Sequence, residues 1–195
     1  MIVNRYRYIE QLSRSKNNGL IKIITGLRRS GKSFLLKKLF HQHLLDEGVR
    51  EDHILVIDME SRKNREFKNP DYLLDWVEKM MIDYETYYII IDEVQEEDFV
   101  EVLSSLSVTE GADVYVTGSN SRFLSSDLVT EFRGRGDEIH VWPLSFKEFM
   151  TVYDGSKEDG WAEYRLYGGL PQLLTQVGDE KKADFLRRLY RTVYL

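Results

Sequence analysis

The chain has 195 residues, with 27 basic and 33 acidic side chains and a formal net charge of −6. Its length favours one domain or slightly more, and 42% hydrophobic with 31% charged residues is typical of a globular protein. The absence of cysteine excludes disulfides, thiolate nucleophiles and cysteine-ligated zinc. No apolar run reaches the roughly 18 residues of a membrane helix. Because the N-terminus also lacks the apolar segment of a signal peptide, we expect a cytoplasmic protein with no membrane partner.

Short apolar segments typical of strands alternate with segments of helical periodicity. Five strands are predicted, at 20–25, 54–57, 87–91, 114–117 and 139–142. Helices are predicted from Phe34 to a stop at Gly48, from an Asp71 cap through residue 81, and over 99–106, with a loop at 61–70. This alternation predicts an α/β fold, a five-stranded and mostly parallel sheet covered by helices on both faces.

The end of the chain has a different pattern. From Ser145 onward it is helical, with a break at 168–171 and a last apolar helical face over 183–194 that has no stop signal. We therefore expect a core domain at 1–144 and a partial helical extension at 145–195. The unfinished helix predicts that the chain is the N-terminal portion of a longer protein.

A glycine-rich loop follows the first predicted strand. Residues 26–33, GLRRSGKS, fit the pattern G-x-x-x-x-G-K-[ST], in which glycines let backbone N–H groups wrap phosphates. Lys32 is expected to reach the β- and γ-phosphates, and the Ser33 hydroxyl to bind Mg²⁺. The predicted ligand-binding residues are Gly26, Arg28, Arg29, Ser30, Gly31, Lys32, Ser33 and Phe34. For Arg28 and Arg29, contact with phosphate, pairing with an acidic neighbour and simple solvation remain alternatives.

Two acidic residues follow the third predicted strand. The apolar run 87–91 leads directly into Asp92 and Glu93, at the carboxyl edge that a parallel sheet shares with the glycine-rich loop. Asp92 is expected to hold Mg²⁺ through water, and Glu93 to polarise a water that attacks the γ-phosphate. A solvated strand end is the alternative, since further acidic residues follow at 96–98.

Polar and basic residues follow the fourth strand. Asn120 or Ser119, with Thr117 behind them, are candidates for a side chain that reports loss of the γ-phosphate, against the alternative of ordinary turn chemistry. Arg133 and Arg135 lie in a loop before the fifth strand, and one of them could reach a neighbouring subunit's γ-phosphate. The alternative there is a solvated basic loop.

Histidines and basic runs elsewhere predict no further site. His41 and His43 are two residues apart on a helix, so they do not share a face and a metal site is not favoured. Basic clusters at 62–68 and 187–191 could contact nucleic acid, but the net charge of −6 argues against it.

Together the motifs resemble a prokaryotic family of AAA-type ATPases. They are GLRRSGKS at 26–33, IIIDEVQ at 89–95, TGSNSRFLS at 117–125, Gly134-Arg135, PLSFKEF at 143–149 and YGGLP at 167–171. The resemblance implies the additional-strand P-loop NTPase fold, a three-layer sandwich of the AAA/RecA-like kind, with ATP rather than GTP and Mg²⁺. It assigns the Walker A motif to 26–33, the Walker B motif to 89–93 and sensor 1 to Ser119–Asn120.

The same resemblance implies a role for the end of the chain. Gly169-Leu170-Pro171 is similar to a turn that couples nucleotide state to a helical domain, and in the family a C-terminal domain follows the ATPase module. Ser30 departs from the family, in which this position is often small and apolar.

The leading hypothesis is an Mg²⁺-dependent ATPase that moves attached domains. Its predicted catalytic residues are Lys32, Glu93, Asn120 and Arg135, and its predicted metal ligands are Ser33 and Asp92. Expected partners are ATP or ADP, further copies of the chain that supply the arginine, and the C-terminal domain.

Other functions remain open at this point. A nucleotide-dependent switch would bind tightly and hydrolyse negligibly alone. A small-molecule kinase would use Asp58 to hold an acceptor, with Arg133 and Arg135 in a lid. A GTPase is less favoured because no Asn-Lys-x-Asp motif is present.

Overall fold

The computed structural model describes residues 2–94, 99–118 and 136–194, with side chains through residue 191. The chain divides into two compact units. The larger unit comprises residues 6–26 and 32–140, and the smaller comprises 1–5, 27–31 and 141–195. The predicted division at residue 144 stays a prediction.

A five-stranded parallel sheet is the centre of the larger unit. Its strands are β1 (Ile21–Thr25), β2 (Ile54–Asp58), β3 (Tyr87–Asp92), β4 (Ala112–Thr117) and β5 (Gly136–His140). Their spatial order is β2-β3-β4-β1-β5, and every pairing is parallel. Asp58 and Asp92 are register partners at the carboxyl ends of β2 and β3. The predicted α/β class and parallel sheet are confirmed.

Helices cover both faces of this sheet because the inner strands are apolar on both sides. On one face, Val114 and Val116 of β4 share a buried core with helices α3 (Pro70–Met80) and α4 (Phe99–Ser107). On the other, the alternate residue Tyr115 packs its ring 4.9 Å from that of Phe40. The unit is therefore a three-layer sandwich.

The helix after the glycine-rich loop changes its winding. Helix α2 (residues 32–46) is α-helical over Lys32–Phe34, π-helical over Leu35–Phe40 and α-helical again over His41–Asp46. Leu36, Phe40 and Leu44 recur at i, i+4 and i+8 and are completely buried, which explains the predicted periodicity. The helix ends before Gly48, whose φ of +90° suits glycine.

The smaller unit is helical in its C-terminal part. Helices α5 (Phe146–Met150), α6 (Lys157–Tyr167) and α7 (Asp179–Tyr194) are joined by loops and a 3₁₀ turn at Pro171–Thr175. Helix α5 begins with a capping box, in which Ser145 accepts from the Glu148 N–H and Glu148 accepts from the Ser145 N–H. A separate small core joins the 3₁₀ turn to α7 and consists of Leu170, Leu173, Phe185 and Leu189.

Several local features differ from the sequence expectations. A first helix, α1 (Tyr6–Ser15), was not predicted, because only Tyr8 and Leu12 are buried on it. Asn69, not Asp71, caps α3, since its side chain accepts from the Tyr72 N–H and Pro70 occupies the first helical position. Residues 62–68, expected as a loop, form a 3₁₀ turn.

The fifth strand is also displaced, because its pairing with β1 decides its position. Gly136 pairs with Ile21 and His140 with Thr25, so the strand lies at Gly136–His140 and not at 139–142. Within the described ranges, no helix combines the length and apolar character needed to cross a bilayer.

Candidate functional site

The loop between β1 and α2 has an unusual backbone. Gly26 and Gly31 have φ values of +132° and +101°, and Arg29 between them has a φ of +68°. The Ser30 N–H donates to the Leu27 carbonyl at 3.0 Å and closes a tight turn. Left-handed residues of this kind turn successive N–H groups toward one side, which is how a backbone loop binds an anion. The conformation is therefore suited to the phosphate-binding role predicted for residues 26–33.

Lys32 and Ser33 begin helix α2 directly after this loop. The Lys32 ammonium donates to the Gly26 carbonyl at 2.9 Å, and the residue is only 4% exposed. Ser33 is half-buried, and Phe34 is 43% exposed. A lysine folded back against the glycine that opens the loop holds its positive charge close to the loop backbone.

Asp92 ends strand β3 as a buried carboxylate with two partners. Its Oδ1 accepts from the Thr117 hydroxyl at 2.6 Å, and its Oδ2 lies 2.7 Å from the Lys37 ammonium. The residue is 1% exposed, so these contacts offset the cost of burying its charge. The sequence had placed Thr117 behind the sensor candidates, whereas the structure brings its hydroxyl into direct contact with Asp92.

Glu93 has a strained backbone and a buried side-chain oxygen that no described residue hydrogen-bonds. Its φ is +62°, an uncommon value for a residue with a side chain. The Glu93 N–H donates to Thr117 Oγ1 at 3.0 Å, and the next N–H, that of Val94, donates to the Thr117 carbonyl at 2.8 Å. Among the described residues nothing hydrogen-bonds to Glu93 Oε2, although the atom is shielded from solvent. An unsatisfied buried carboxylate oxygen is costly and is typical of a functional site.

Lys37 belongs to this cluster and was not predicted. From the π-helical part of α2 its ammonium contacts Asp58 Oδ2 at 2.8 Å as well as Asp92. Burial alone lowers the pKa of Lys37, but hydrogen bonds and charge from Asp58 and Asp92 outweigh it, and the net pKa is raised. The sequence offers one signal for Lys37, its position one helical turn after Ser33. That signal does not single it out, because the next residue, Lys38, is also a lysine and is exposed.

The contacts of Asp58 argue against a kinase acceptor site. Partial burial raises the pKa of Asp58, but the Lys37 ammonium and backbone N–H groups lower it by more. The net pKa therefore lies below its usual value. Its Oδ1 accepts from the Glu60 N–H at 3.1 Å while Oδ2 contacts Lys37. Both oxygens are thus engaged within the protein.

Within the smaller unit, the loop residues 27–31 pack against the helical segment. The Arg29 guanidinium lies 5.1 Å from the centre of the Phe185 ring on α7, a cation–π contact. A Cβ on Gly31 would lie 3.7 Å from Pro171 Cγ, so loop and 3₁₀ turn approach closely. Arg28 is exposed. The contact of Arg29 with an aromatic ring was not among the predicted alternatives.

The remaining predicted site residues lie outside the described ranges. These are Ser119, Asn120, Arg133 and Arg135, so their roles as sensor and as arginine supplied in trans stay predictions.

Comparison with known proteins identifies the family. A family model described as an AAA domain matches residues 18–150, which include the loop at 26–33 and the acidic pair. The chain belongs to this AAA family. It is accordingly a nucleotide-binding ATPase module with the P-loop NTPase fold, as the resemblance implied.

Two curated relatives of this AAA module come from a bacterium and an archaeon. An uncharacterized protein of Haemophilus influenzae is 34% identical over 202 residues, covering all of this chain and 50% of the relative. An uncharacterized protein of Methanocaldococcus jannaschii is 26% identical over 184 residues, covering 86% of this chain and 39% of the relative. The chain therefore spans half the length, or less, of these relatives.

Solved structures are similar to the AAA module at low sequence identity. The structure of C. elegans PCH-2 has a TM-score of 0.50 and 16% identity, covering 95% of this chain and 53% of that one. The structure of Drosophila ORC bound to DNA has a TM-score of 0.48 and 15% identity, covering 74% and 94% of the two chains.

Proposed function

We propose that this AAA module binds ATP with Mg²⁺ and hydrolyses it. The observation that carries the proposal is the buried Glu93 Oε2, which has no partner within the described residues and belongs to the residue directly after Asp92, the last residue of β3. A carboxylate in this condition is a strong hydrogen-bond acceptor that is available to a water molecule. Glu93 therefore serves as the residue that orients and polarises the attacking water.

The other predicted residues hold the phosphates and the metal. Lys32 neutralises charge on the β- and γ-phosphates, and loop N–H groups from 26–33 surround them. The Ser33 hydroxyl is an oxygen ligand of the kind that Mg²⁺ prefers. Both oxygens of Asp92 already contact Thr117 and Lys37, so Asp92 holds the ion through water rather than directly, and in this way the residues present fit Mg²⁺. When bound, Mg²⁺ supplies positive charge to the phosphate oxygens.

Thr117 and Lys37 keep the acidic pair in place. Thr117 donates to Asp92 and accepts from the Glu93 backbone, so one hydroxyl sets the direction of both residues. Lys37 balances the charge of Asp92 from the side of Asp58. Asn120 or Ser119 then acts as the sensor of the γ-phosphate, and Arg135 or Arg133 from a second copy stabilises the charge that develops in the transition state.

Nucleotide state is coupled to the helical segment after residue 145 and through it to a further domain. The packing of Gly31 near Pro171 and of Arg29 on Phe185 supports this coupling, because a change in the loop alters both contacts. The greater length of the curated relatives supports a further domain as the receiver of the motion.

Phosphate release tests hydrolysis directly. Turnover of ATP with Mg²⁺ would be measured at several protein concentrations for the original chain, Lys32→Ala and Glu93→Gln, beside ATP affinity by calorimetry. We expect Lys32→Ala to weaken binding at least tenfold. Glu93→Gln is expected to retain binding and lose turnover by about 100-fold or more, the loss typical of a missing general base.

Matched controls isolate these roles. Lys38→Ala removes an exposed lysine from the same helix, and Glu101→Gln changes an exposed acid on α4, so both variants should behave as the original chain. Turnover per molecule that rises with concentration would support an arginine supplied in trans. Tight binding without turnover would replace the ATPase by a nucleotide-dependent switch, and unchanged turnover in Glu93→Gln would contradict the role of Glu93.

A further inference from the structure

The N-terminal Arg5 is buried within the smaller unit and contacts at least three residues in the described part of that unit. The residue is 4% exposed, although it lies only four residues from the start of the chain. Its Nη1 donates to the Ser30 carbonyl at 3.3 Å, its Nη2 donates to the Trp142 carbonyl at 2.7 Å, and its Nε lies 2.9 Å from Glu148 Oε1. A single guanidinium thus contacts the glycine-rich loop, the segment before α5 and α5 itself.

Glu148 is itself held by the start of its helix. Its Oε2 accepts from the Ser145 N–H at 2.8 Å and from the Ser145 hydroxyl at 2.9 Å, while Oε1 faces Arg5. Both oxygens are therefore committed, and the position of the Arg5 side chain is determined by a rigid acceptor. The planar fork of arginine can serve several acceptors at once, which a lysine cannot do.

The contact with Ser30 has a consequence for the neighbouring amide. In a trans peptide the C=O of Ser30 and the N–H of Gly31 belong to one plane and point in opposite directions. Fixing the carbonyl toward Arg5 therefore fixes the Gly31 N–H away from Arg5. Gly31 has a φ of +101°, but a glycine can adopt many other backbone conformations. The direction of its amide therefore depends on a contact from outside the loop.

We propose that Arg5 is a positioning residue for nucleotide binding, which orients the Ser30–Gly31 peptide so that the Gly31 N–H faces the phosphates. This inference rests on the proposed function of the loop. It assigns a role in ligand affinity to a residue that lies outside the predicted phosphate-binding segment and does not touch the nucleotide.

The test compares two readouts in the full 195-residue chain. Arg5→Met removes the donors, Arg5→Lys keeps a cation beside Glu148, and Arg7→Met removes an exposed arginine two residues further on as a control. ADP affinity would be measured by calorimetry, and the Gly31 amide signal by ¹⁵N nuclear magnetic resonance without nucleotide. A residue that is merely structural would alter the melting temperature but neither of these.

We expect Arg5→Met to fold, to shift the Gly31 amide signal and to weaken ADP binding about tenfold, the effect of losing one well-oriented hydrogen bond to a charged group. Arg5→Lys should give a smaller change in the same direction, and Arg7→Met none. A folded Arg5→Met with unchanged Gly31 signal and ADP affinity would overturn the proposal.

The other possible outcomes of the experiment also support or contradict the proposal. If Arg5→Met does not fold, Arg5→Lys is decisive: a shifted Gly31 signal supports the proposal, and behaviour identical to the original chain contradicts it. Failure of both variants to fold would mean that Arg5 only holds the unit together, which is also contrary to the proposal. If the original chain does not bind ADP, or Lys32→Ala binds equally well, the proposed function fails, while the Gly31 signal still tests the orientation by Arg5.

Discussion

At the scale of single residues, Lys37 shows how one cation can organise two carboxylates at a sheet edge. Asp58 and Asp92 end neighbouring strands in register, so their negative charges would repel each other without a cation between them. From helix α2, Lys37 contacts one oxygen of Asp58 and one oxygen of Asp92. Its side chain is 26% exposed, whereas that of Asp92 is 1% exposed. The three side chains therefore act as a unit, and removal of the cation leaves Asp92 buried without its ion pair.

We predict that Lys37→Met lowers the free energy of unfolding by about 1–2 kcal/mol, a value limited by solvent screening at the partly exposed Asp58. Urea titration would measure it, with the exposed Lys38→Met as control. The difference from the original chain should be constant between pH 3.8 and 10.5, the usual pKa values of Asp58 and Lys37.

The sign of this pH dependence follows from the two shifts. The pKa of Asp58 is lowered in the folded state, so its contribution is lost as the pH falls below 3.8 and through the folded pKa. The pKa of Lys37 is raised, so its contribution is lost as the pH rises above 10.5. A difference that grows in acid would contradict this assignment.

At the scale of secondary-structure elements, the two glycines after helix α6 are each required, but for different physical reasons. Gly168 ends the helix with a φ of +78°, and a Cβ there would have no neighbour within 4 Å. Gly169 has no such φ, but a Cβ would lie 2.1 Å from the Leu144 carbonyl oxygen. The Leu144 N–H also donates to the Gly169 carbonyl at 2.7 Å, so the two backbones are held together.

We therefore predict that Gly169→Ala is more destabilising than Gly168→Ala. Gly168→Ala should cost about 2 kcal/mol, because its φ of 78° with a ψ of −170° is a backbone conformation that is essentially restricted to glycine. Gly169→Ala should cost about 3 kcal/mol, since two backbone segments must separate. Urea unfolding followed by circular dichroism would compare them, and equal costs would show that the close approach to Leu144 is easily relieved.

Strands β1 and β4 share a buried ion pair near their amino ends. Lys22 is completely buried and pairs with Asp113, which also accepts from the Tyr115 hydroxyl at 2.8 Å and the Asn17 N–H at 3.1 Å. Burial and the neighbouring Asp113 raise the pKa of Tyr115 far above its usual range. The tyrosine thus stays neutral and donates its proton to the carboxylate.

We predict that Lys22→Met costs about 3–5 kcal/mol, because Asp113 is left as a buried unpaired charge. The double variant with Asp113→Asn should recover a large part of this loss, since the amide is neutral and can still accept from Tyr115. Thermal unfolding would measure the cycle. Costs that simply add would show that the two groups are not coupled. ADP affinity should be unchanged, because the pair lies at the opposite end of the strands from the glycine-rich loop.

At the scale of the whole molecule, parallel topology collects residues that are far apart in sequence. Thr25, Asp58, Asp92 and Thr117 end four strands at one edge, and the glycine-rich loop starts from the same edge. The proposed nucleotide site therefore belongs to the ends of strands that form the core. Binding should therefore stabilise the fold as a whole.

We predict that ATP with Mg²⁺ at 100 times the dissociation constant raises the free energy of unfolding by about 2.7 kcal/mol. Calorimetric melting would detect it as a higher transition temperature. Glu93→Gln should retain the increase, and Lys32→Ala, which binds at least tenfold more weakly, should lose about half of it or more at the same ligand concentration. An equal increase in Lys32→Ala would indicate that the nucleotide binds elsewhere.

Much of the fold was readable from the sequence. Buried strands such as Tyr87–Asp92 are continuous apolar runs, and helix α2 repeats its apolar residues every turn. Both elements can therefore be predicted from a short stretch of sequence. Helix α1 and the bounds of β5 were not predictable in this way. Helix α1 buries only two residues, and β5 is positioned by pairing with β1.

The sequence by itself predicted the glycine-rich loop and the acidic pair as candidate site residues, because each is a contiguous pattern whose chemistry depends on neighbouring residues. Only the tertiary structure decided which of many lysines and arginines join the site. Lys37 reaches Asp58 and Asp92, and Arg5 reaches Ser30 and Glu148, across separations of 21 to 143 residues. Such contacts depend on strand order and helix packing, which cannot be predicted from the pattern of charges along the sequence.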